Sequence, residues 1–156
     1  MAVGKSMKKI KIYLETSVVS GYFDSHLPDR QSVTRAFFKT LKKYGVFIST
    51  AVFEEITMSE EPKRSRLIRL VKNVTVLDSE KEGVKNLAQI YVANRVVPAK
   101  YFLDAIHLAC ATFYNMDVLV SWNFKHMVNF KTKLLVNSLN KRYNYGVIEI
   151  SSPLEL

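Results

Sequence analysis

Hydrophobic positions along the chain fall into short apolar runs separated by longer segments with helical spacing. The runs Ile10–Leu14, Val46–Ser49, Val74–Leu77, Val118–Ser121 and Val147–Ile150 are short and rich in β-branched side chains, so each predicts a strand. Between them, apolar residues recurring at helical spacing predict helices over about 32–44, 51–59, 61–72, 80–95 and 101–115, with a shorter one near 132–143. Pro62 suits a first helical turn, and Pro98 precedes the helix that carries Asp104. Strands alternating with helices predict an α/β fold, a three-layer α/β/α arrangement with a mostly parallel central sheet of about five strands. No repeat, low-complexity tract or linker divides the chain. Residues 7–156 therefore read as a single domain, and 1–6 as an N-terminal extension or cloning remnant ahead of a natural start at Met7.

Composition adds a partner to this picture. A chain of 156 residues with 48% hydrophobic content can bury one continuous core. No apolar stretch is long enough to span a bilayer, and the opening MAVGKSMKKIK lacks a secretory signal, so the expectation is a cytoplasmic protein with no membrane contact. The lone Cys110 lies among apolar neighbours, where a thiol behaves as a small buried hydrophobe. Lys and Arg number 23 against 14 Asp and Glu, a net charge of +9 that favours an anionic partner, nucleic acid first. The cations cluster in KKIK (8–11), KTLKK (39–43) and KRSRLIR (63–69), with Lys125, Lys131, Lys133, Lys141 and Arg142 scattered beyond. Any one cluster reads as a solvated helix face; their sum is the signal. Gly4, Lys5 and Ser6 match the end of a phosphate-binding P-loop, but its first glycine would have to precede the chain, which rejects a nucleoside triphosphate site.

In an open parallel sheet, ligands bind outside the carboxyl ends of the strands where the strand order reverses. The polar residues just past the predicted strands are therefore the candidates. Glu15 follows KIYL, Glu54 and Glu55 open the helix after VFIS, Asn123 lies two residues beyond VLVS, and Asp104 lies near the start of FLDAIHLACA. Carboxylates gathered in one crevice raise each other's pKa unless a cation intervenes. Hard oxygen donors without Cys or clustered His favour Mg²⁺ or Mn²⁺ over Zn²⁺, and such ions bind phosphate oxygens. Simpler roles stand beside these. Glu15 could cap the helix that follows it, Glu54 or Glu55 could complement a helix dipole, and Asp104, on an almost wholly apolar helix start, could take His107 one turn on as its hydrogen-bond partner.

On these residues the chain resembles the PIN-domain ribonucleases, in particular the VapC-like toxins of type II toxin–antitoxin systems. KIYLETSVVSGYFD resembles that family's opening strand and metal-binding turn, ISTAVFEEI its second acidic segment, and FLDAIHLACATFYNMDVLVSWNFKHMVN its third helix-and-strand block. The closing ISSPLEL resembles the ending of one subgroup, and the resemblance runs in order from Met7 over about the whole chain. It implies that Glu15, Glu55 and Asp104 form an acidic site for Mg²⁺ or Mn²⁺, with Asn123 in the place of a fourth acid. Two positions depart from the commonest pattern: Glu15 stands where most members have aspartate, as in a subgroup similar to this chain, and Asn123 can offer a carbonyl oxygen but no charge. The mapping gives Thr16, Ser17 and Ser121 the task of orienting carboxylates, with capping the other role open to the first two. Trp122 would stack on a base or serve a core or interface, while Lys125 and His126 would meet phosphate.

The implied reaction is metal-assisted hydrolysis of RNA phosphodiester bonds, leaving 5′-phosphate and 3′-hydroxyl ends, with Glu55 completing the ion's surroundings or accepting a proton from water. The resemblance also implies a small antitoxin covering the crevice and a homodimer. Two rivals stay open at this stage: a PIN-fold RNA-binding or protein-interaction module whose altered acids no longer support turnover, and a structure-specific DNA nuclease using the same chemistry.

Overall fold

The computed structural model describes residues 8–156; the expected extension at 1–6, the start at Met7 and the P-loop decoy lie outside the described residues. One sheet holds five strands, β1 (Lys11–Leu14), β2 (Gly45–Ser49), β3 (Thr75–Leu77), β4 (Val118–Val120) and β5 (Glu149–Ser151). Their order is β3-β2-β1-β4-β5 and every pairing is parallel. Ile12 pairs with Val46 on one side and Val118 on the other, so β1 is the central strand. The chain steps outward from β1 to β3, then returns across the sheet to β4 and β5. The order therefore reverses between β1 and β4, which opens a crevice at their carboxyl ends.

Seven α-helices connect the strands among the described residues: α1 (Thr16–Gly21), α2 (Pro28–Phe38), α3 (Thr50–Thr57), α4 (Lys63–Leu70), α5 (Glu82–Ala93), α6 (Phe102–Phe113) and α7 (Phe130–Arg142). Short 3-10 turns lie at Leu41–Lys43, Ala99–Tyr101 and Pro153–Glu155. Most elements lie within a few residues of the sequence expectation, and three departures have a clear physical cause. The helix expected over 32–44 runs instead from Pro28, whose fixed φ suits the first helical position and which is followed by Asp29 in the positive first turn; it ends at Phe38. TSVVSG, with poor helix formers, nonetheless forms α1 because Val18 and Val19 bury completely there; tertiary packing overrides propensity. The apolar run at Val147 starts β5 too early: Val147 is exposed, and the Ile148 N–H bonds Asn137 Oδ1 at 2.9 Å before the strand begins.

Ile12, Tyr13 and Leu14 are all inaccessible, and so are Leu119 and Val120. Successive strand side chains point to opposite faces, so both faces of the sheet centre are covered, whereas Thr75 and Val76 on the edge strand β3 are exposed. Cys110 lies in this core, where burial pushes its thiol up to about 12. No helix among the described residues is long and apolar enough to cross a membrane.

Helices α5, α6 and α7 end alike, each followed by a residue in the left-handed region: Arg95 (φ 61°), Asn115 (φ 57°) and Asn144 (φ 65°). In each, the next N–H reaches back to the last turn, Val96 to Tyr91 O (2.9 Å), Met116 to Ala111 O (2.9 Å) and Tyr145 to Asn140 O (2.7 Å). Asparagine tolerates this conformation and arginine is not favoured there.

Candidate functional site

Three carboxylates come to the crevice from three segments: Glu15 directly after β1, Glu55 on α3 after β2, and Asp104 in the first turn of α6. Each is held differently. Glu15 is the backbone N-cap of α1 but makes no side-chain capping bond, so capping is not what its carboxylate does. Its Oε1 accepts from Ser17 Oγ (2.5 Å) and Ser121 Oγ (2.6 Å), which joins the end of β1 to the loop after β4 although Glu15 is only 6% exposed. Ser17 Oγ in turn accepts the Trp122 N–H (2.8 Å), and Ser121 Oγ the Asn123 N–H (2.9 Å). Thr16 donates its hydroxyl to Glu55 Oε1. The three hydroxyls of Thr16, Ser17 and Ser121 thus touch carboxylates rather than helix N–H groups.

His107 lies beneath Glu55, not beside Asp104 as its spacing on the helix predicts. Its Nε2 meets Glu55 Oε1 at 2.8 Å and its Nδ1 meets the Tyr13 hydroxyl at 2.7 Å; Tyr13 also bonds Ser49 Oγ at 2.7 Å. The relay Ser49–Tyr13–His107–Glu55 runs from the core to the crevice, and sequence reasoning missed its inner members. A fully buried tyrosine on the central strand needs a partner for its hydroxyl, and that requirement was the available signal. Burial lowers the His107 pKa, but the Glu55 hydrogen bond and the nearby negative charges of Glu15, Glu55 and Asp104 outweigh it, so the net shift is upward. Burial raises the Glu55 pKa, yet the bond and charge of His107 and the Thr16 hydroxyl leave it below the ordinary carboxylate value. Thr16, next to Glu15, bonds Glu55, and Asn123, whose N–H bonds Ser121 Oγ, lies against Asp104, so a chain of hydrogen bonds and neighbouring residues links the three carboxylates.

Asp104 is partnered from the other side. Its Oδ2 meets His126 Nδ1 at 2.7 Å and lies 3.5 Å from Asn123 Nδ2. The carbonyl oxygen of Asn123, the atom expected to face an ion, accepts the His126 N–H at 2.9 Å, because the residue closes the turn after β4. His126, expected against phosphate, turns one ring nitrogen to Asp104 and packs at a tilt against Tyr101 with ring centres 4.3 Å apart. Trp122, expected against a base, is 5% exposed and its Nε1 donates to Thr34 Oγ1 at 2.9 Å, so core packing takes it. Gly21 lies close against this pair: a Cβ there would stand 3.1 Å from Thr34 Oγ1 and 3.4 Å from Trp122 Nε1, tight enough that the neighbours would have to give slightly. Lys125 is exposed beside the crevice, and Glu54 is exposed on α3 outside this network.

The donor set suits a hard, hydrated cation. Glu15, Glu55 and Asp104 each commit one oxygen to a hydroxyl, imidazole or amide, and the other oxygen of each has no partner among the described residues. No buried side-chain oxygen or nitrogen is orphaned, so those three free oxygens face solvent. Among the described residues no three His, Cys, Asp or Glu side chains stand close enough to enclose one ion. A Mg²⁺-like ion takes oxygen donors, one or two of them carboxylates, and keeps several waters, so what fits it here is the chemistry of these three oxygens and not an enclosing cage.

No family model and no curated protein sequence matches the chain. Solved structures do match its fold. VapBC-1 from nontypeable Haemophilus influenzae aligns with a TM-score of 0.60 and 13% identity over 93% of this chain and 99% of that one. VapBC2 from Rickettsia felis, bound to a DNA fragment from its promoter, aligns at 0.55 and 12% identity over 92% of this chain and 98% of that one. Mycobacterium tuberculosis VapC20, a sarcin–ricin loop cleaving toxin, aligns at 0.55 and 18% identity over 69% of this chain and 86% of that one. With five parallel strands in the order β3-β2-β1-β4-β5, the chain has the PIN-like fold of these VapC toxin structures.

Proposed function

We propose that this protein is a metal-dependent endoribonuclease of the VapC-like PIN family, the toxin of a toxin–antitoxin pair, hydrolysing RNA phosphodiester bonds with Mg²⁺ or Mn²⁺. The observation that carries the reading is the convergence of Glu15, Glu55 and Asp104 at the strand-order reversal, each with one tethered and one solvent-facing oxygen. Its support from likeness is the fold shared with toxins, one of them named for cleaving the sarcin–ricin loop.

A divalent ion bound there supplies positive charge against the phosphoryl group and acidifies water. Glu15 and Asp104 would hold the ion, and the hydroxyls of Ser17 and Ser121 aim Glu15. Glu55, kept below the ordinary carboxylate value by His107, stays anionic and serves better as a ligand than as a general base. Lys125 and the other surface cations attract the backbone of RNA in a salt-dependent way. A small antitoxin is the proposed partner, as the neighbours come from VapBC assemblies, and a homodimer the proposed assembly.

A labelled single-stranded RNA incubated with the purified chain tests this. Cleavage is expected with Mn²⁺ and not in EDTA, and not with Asp104→Asn or Glu15→Gln, whose thermal midpoints stay close to the parent. Cleavage that ignores metal, or full turnover by Asp104→Asn, overturns the reading. A binding module without turnover is the second reading, favoured by one observation: Asn123 replaces an acid and spends its carbonyl oxygen on the His126 N–H. Binding with no cleavage of RNA or DNA would decide for it, and cutting of DNA alone would decide for a DNA nuclease.

A further inference from the structure

Beside the carboxylates, on the far side of His126, a cavity of about 710 Å³ opens between the segment after α5 and the loop after β4. Its floor is apolar, with Val92, Val96, Val97 and Pro98, and its rim carries Arg95, Lys125 and Lys131. No Asp or Glu lines it, and none of the three rim cations makes an ion pair among the described residues. Three like charges gathered around an apolar floor without a counter-ion repel one another and gain nothing for the fold. They suit an anionic ligand with a flat apolar part.

Two details show a built wall. Phe124 is 43% exposed, yet its ring is seated edge-on against the buried Trp122 with centres 6.2 Å apart, so the open side is a fixed aromatic face. The loop around it is pinned: Asn129 Nδ2 donates to Phe124 O (2.9 Å) and Lys125 O (3.1 Å), and Asn123 O accepts from Met127 (3.0 Å) and Val128 (2.9 Å). Arg95 supplies the second detail. It holds the left-handed position that asparagine fills after α6 and α7, a conformation costing an arginine roughly 1–2 kcal/mol, and the residue lines the cavity.

We infer that this cavity binds a nucleotide of single-stranded RNA flanking the cleaved bond, with the base on Phe124, its phosphates on Arg95, Lys125 and Lys131, and His126 as the seam to Asp104. The substrate class rests on the ribonuclease reading; the cavity's preference for an anionic aromatic ligand does not. Aromatic face plus cationic track is how single strands are held without sequence reading, and the base-stacking role expected of Trp122 passes to Phe124.

Fluorescence anisotropy with a short labelled single-stranded RNA in EDTA tests binding apart from cleavage. Phe124→Ala is expected to weaken binding roughly tenfold. Lys131→Gln and Arg95→Gly are each expected to weaken it several-fold and to lower the slope of log K against log salt by about 0.7 for each phosphate no longer neutralised. Arg95→Gly relieves the left-handed strain, so its thermal midpoint should not fall while its affinity does, a pairing no structural role produces. Lys72→Gln is the control, an exposed cation ahead of β3 at the opposite edge of the sheet. Equal binding by all variants, an equal loss in the control, or no RNA binding by the parent overturns the inference. A parent that binds through these residues but never cuts with Mn²⁺ overturns the ribonuclease reading and leaves the cavity standing. One that cuts with kcat/KM unchanged in all three variants does the reverse.

Discussion

The crevice contains the same chemical unit twice, a carboxylate on an imidazole, built to opposite specifications. The Glu55–His107 unit is closed: the His107 side chain is 1% exposed and both ring nitrogens are gripped, by Glu55 and by Tyr13. The Asp104–His126 unit is open: only Nδ1 of His126 is engaged, and Nε2 has no partner among the described residues and reaches solvent. The first is rooted in the central strand through Tyr13 and Ser49; the second hangs on the turn after β4. An imidazole held at both ends can only fix its carboxylate. One held at a single end retains a free nitrogen for whatever occupies the adjoining cavity. The difference separates a part of the crevice locked into the core from a part left open towards the adjoining cavity.

That contrast is broken most sharply by removing charge. Asp104→Asn is expected to lower Mn²⁺-dependent cleavage more than about a hundredfold, beyond the 10–100-fold typical of groups that merely support a ligand, with little change in thermal midpoint. Full activity in that variant would leave the open unit with no chemical task. Removing the rings comes next. His107→Ala leaves a core void and strips Glu55 of its partner, costing about 3 kcal/mol in urea denaturation, whereas His126→Ala should cost about 1 kcal/mol. Equal costs would abolish the distinction between closed and open.

Tyr13→Phe sharpens it further, since deleting one hydroxyl leaves His107 Nδ1 and Ser49 short of a partner and should cost about 1–2 kcal/mol without touching the crevice surface. The closed unit also predicts a pH signature for unfolding measured in EDTA. Glu55, lowered from 4.5, contributes stability that is present above that value and lost as pH falls through its lowered folded pKa. His107, raised from 6.5, contributes stability that is complete below 6.5 and lost as pH rises through its elevated folded pKa. The pair is therefore worth most between those limits, and His107→Gln should remove the decline on the alkaline side; an unchanged profile would show that the ring does not titrate with unfolding. The smallest effect is expected at Cys110, whose thiol, pushed up to about 12 by burial, should resist a thiol reagent until the protein unfolds.

The neighbourhood of the acidic residues was legible in the sequence because strand ends are local events. KIYL and VLVS stop being apolar at Glu15 and Ser121, and in a parallel sheet every such stop lies on the same edge. Asp104 stood out because a carboxylate in an apolar helix start needs a partner. Its partner was not legible. One turn of helix proposes His107, but where α6 meets β1 and α3 that ring turns to Tyr13 and Glu55, leaving Asp104 to His126 from a loop 22 residues further on. Of the roles open to Trp122, base stacking or core packing, the sequence could not choose for a similar reason, since the bond from its Nε1 to Thr34 joins segments 88 residues apart.

The amino-acid order alone determined the alternation of strands and helices, the positive charge and the set of oxygen donors, for these follow from periodicity and side-chain type within a few residues. Only the folded chain decided which donor meets which acceptor, that one imidazole is sealed and the other open, and that Arg95 and Lys131 share a cavity. Those are contacts between segments tens of residues apart, set by the order of strands in the sheet and the volume left between helices, quantities that no local window of sequence contains.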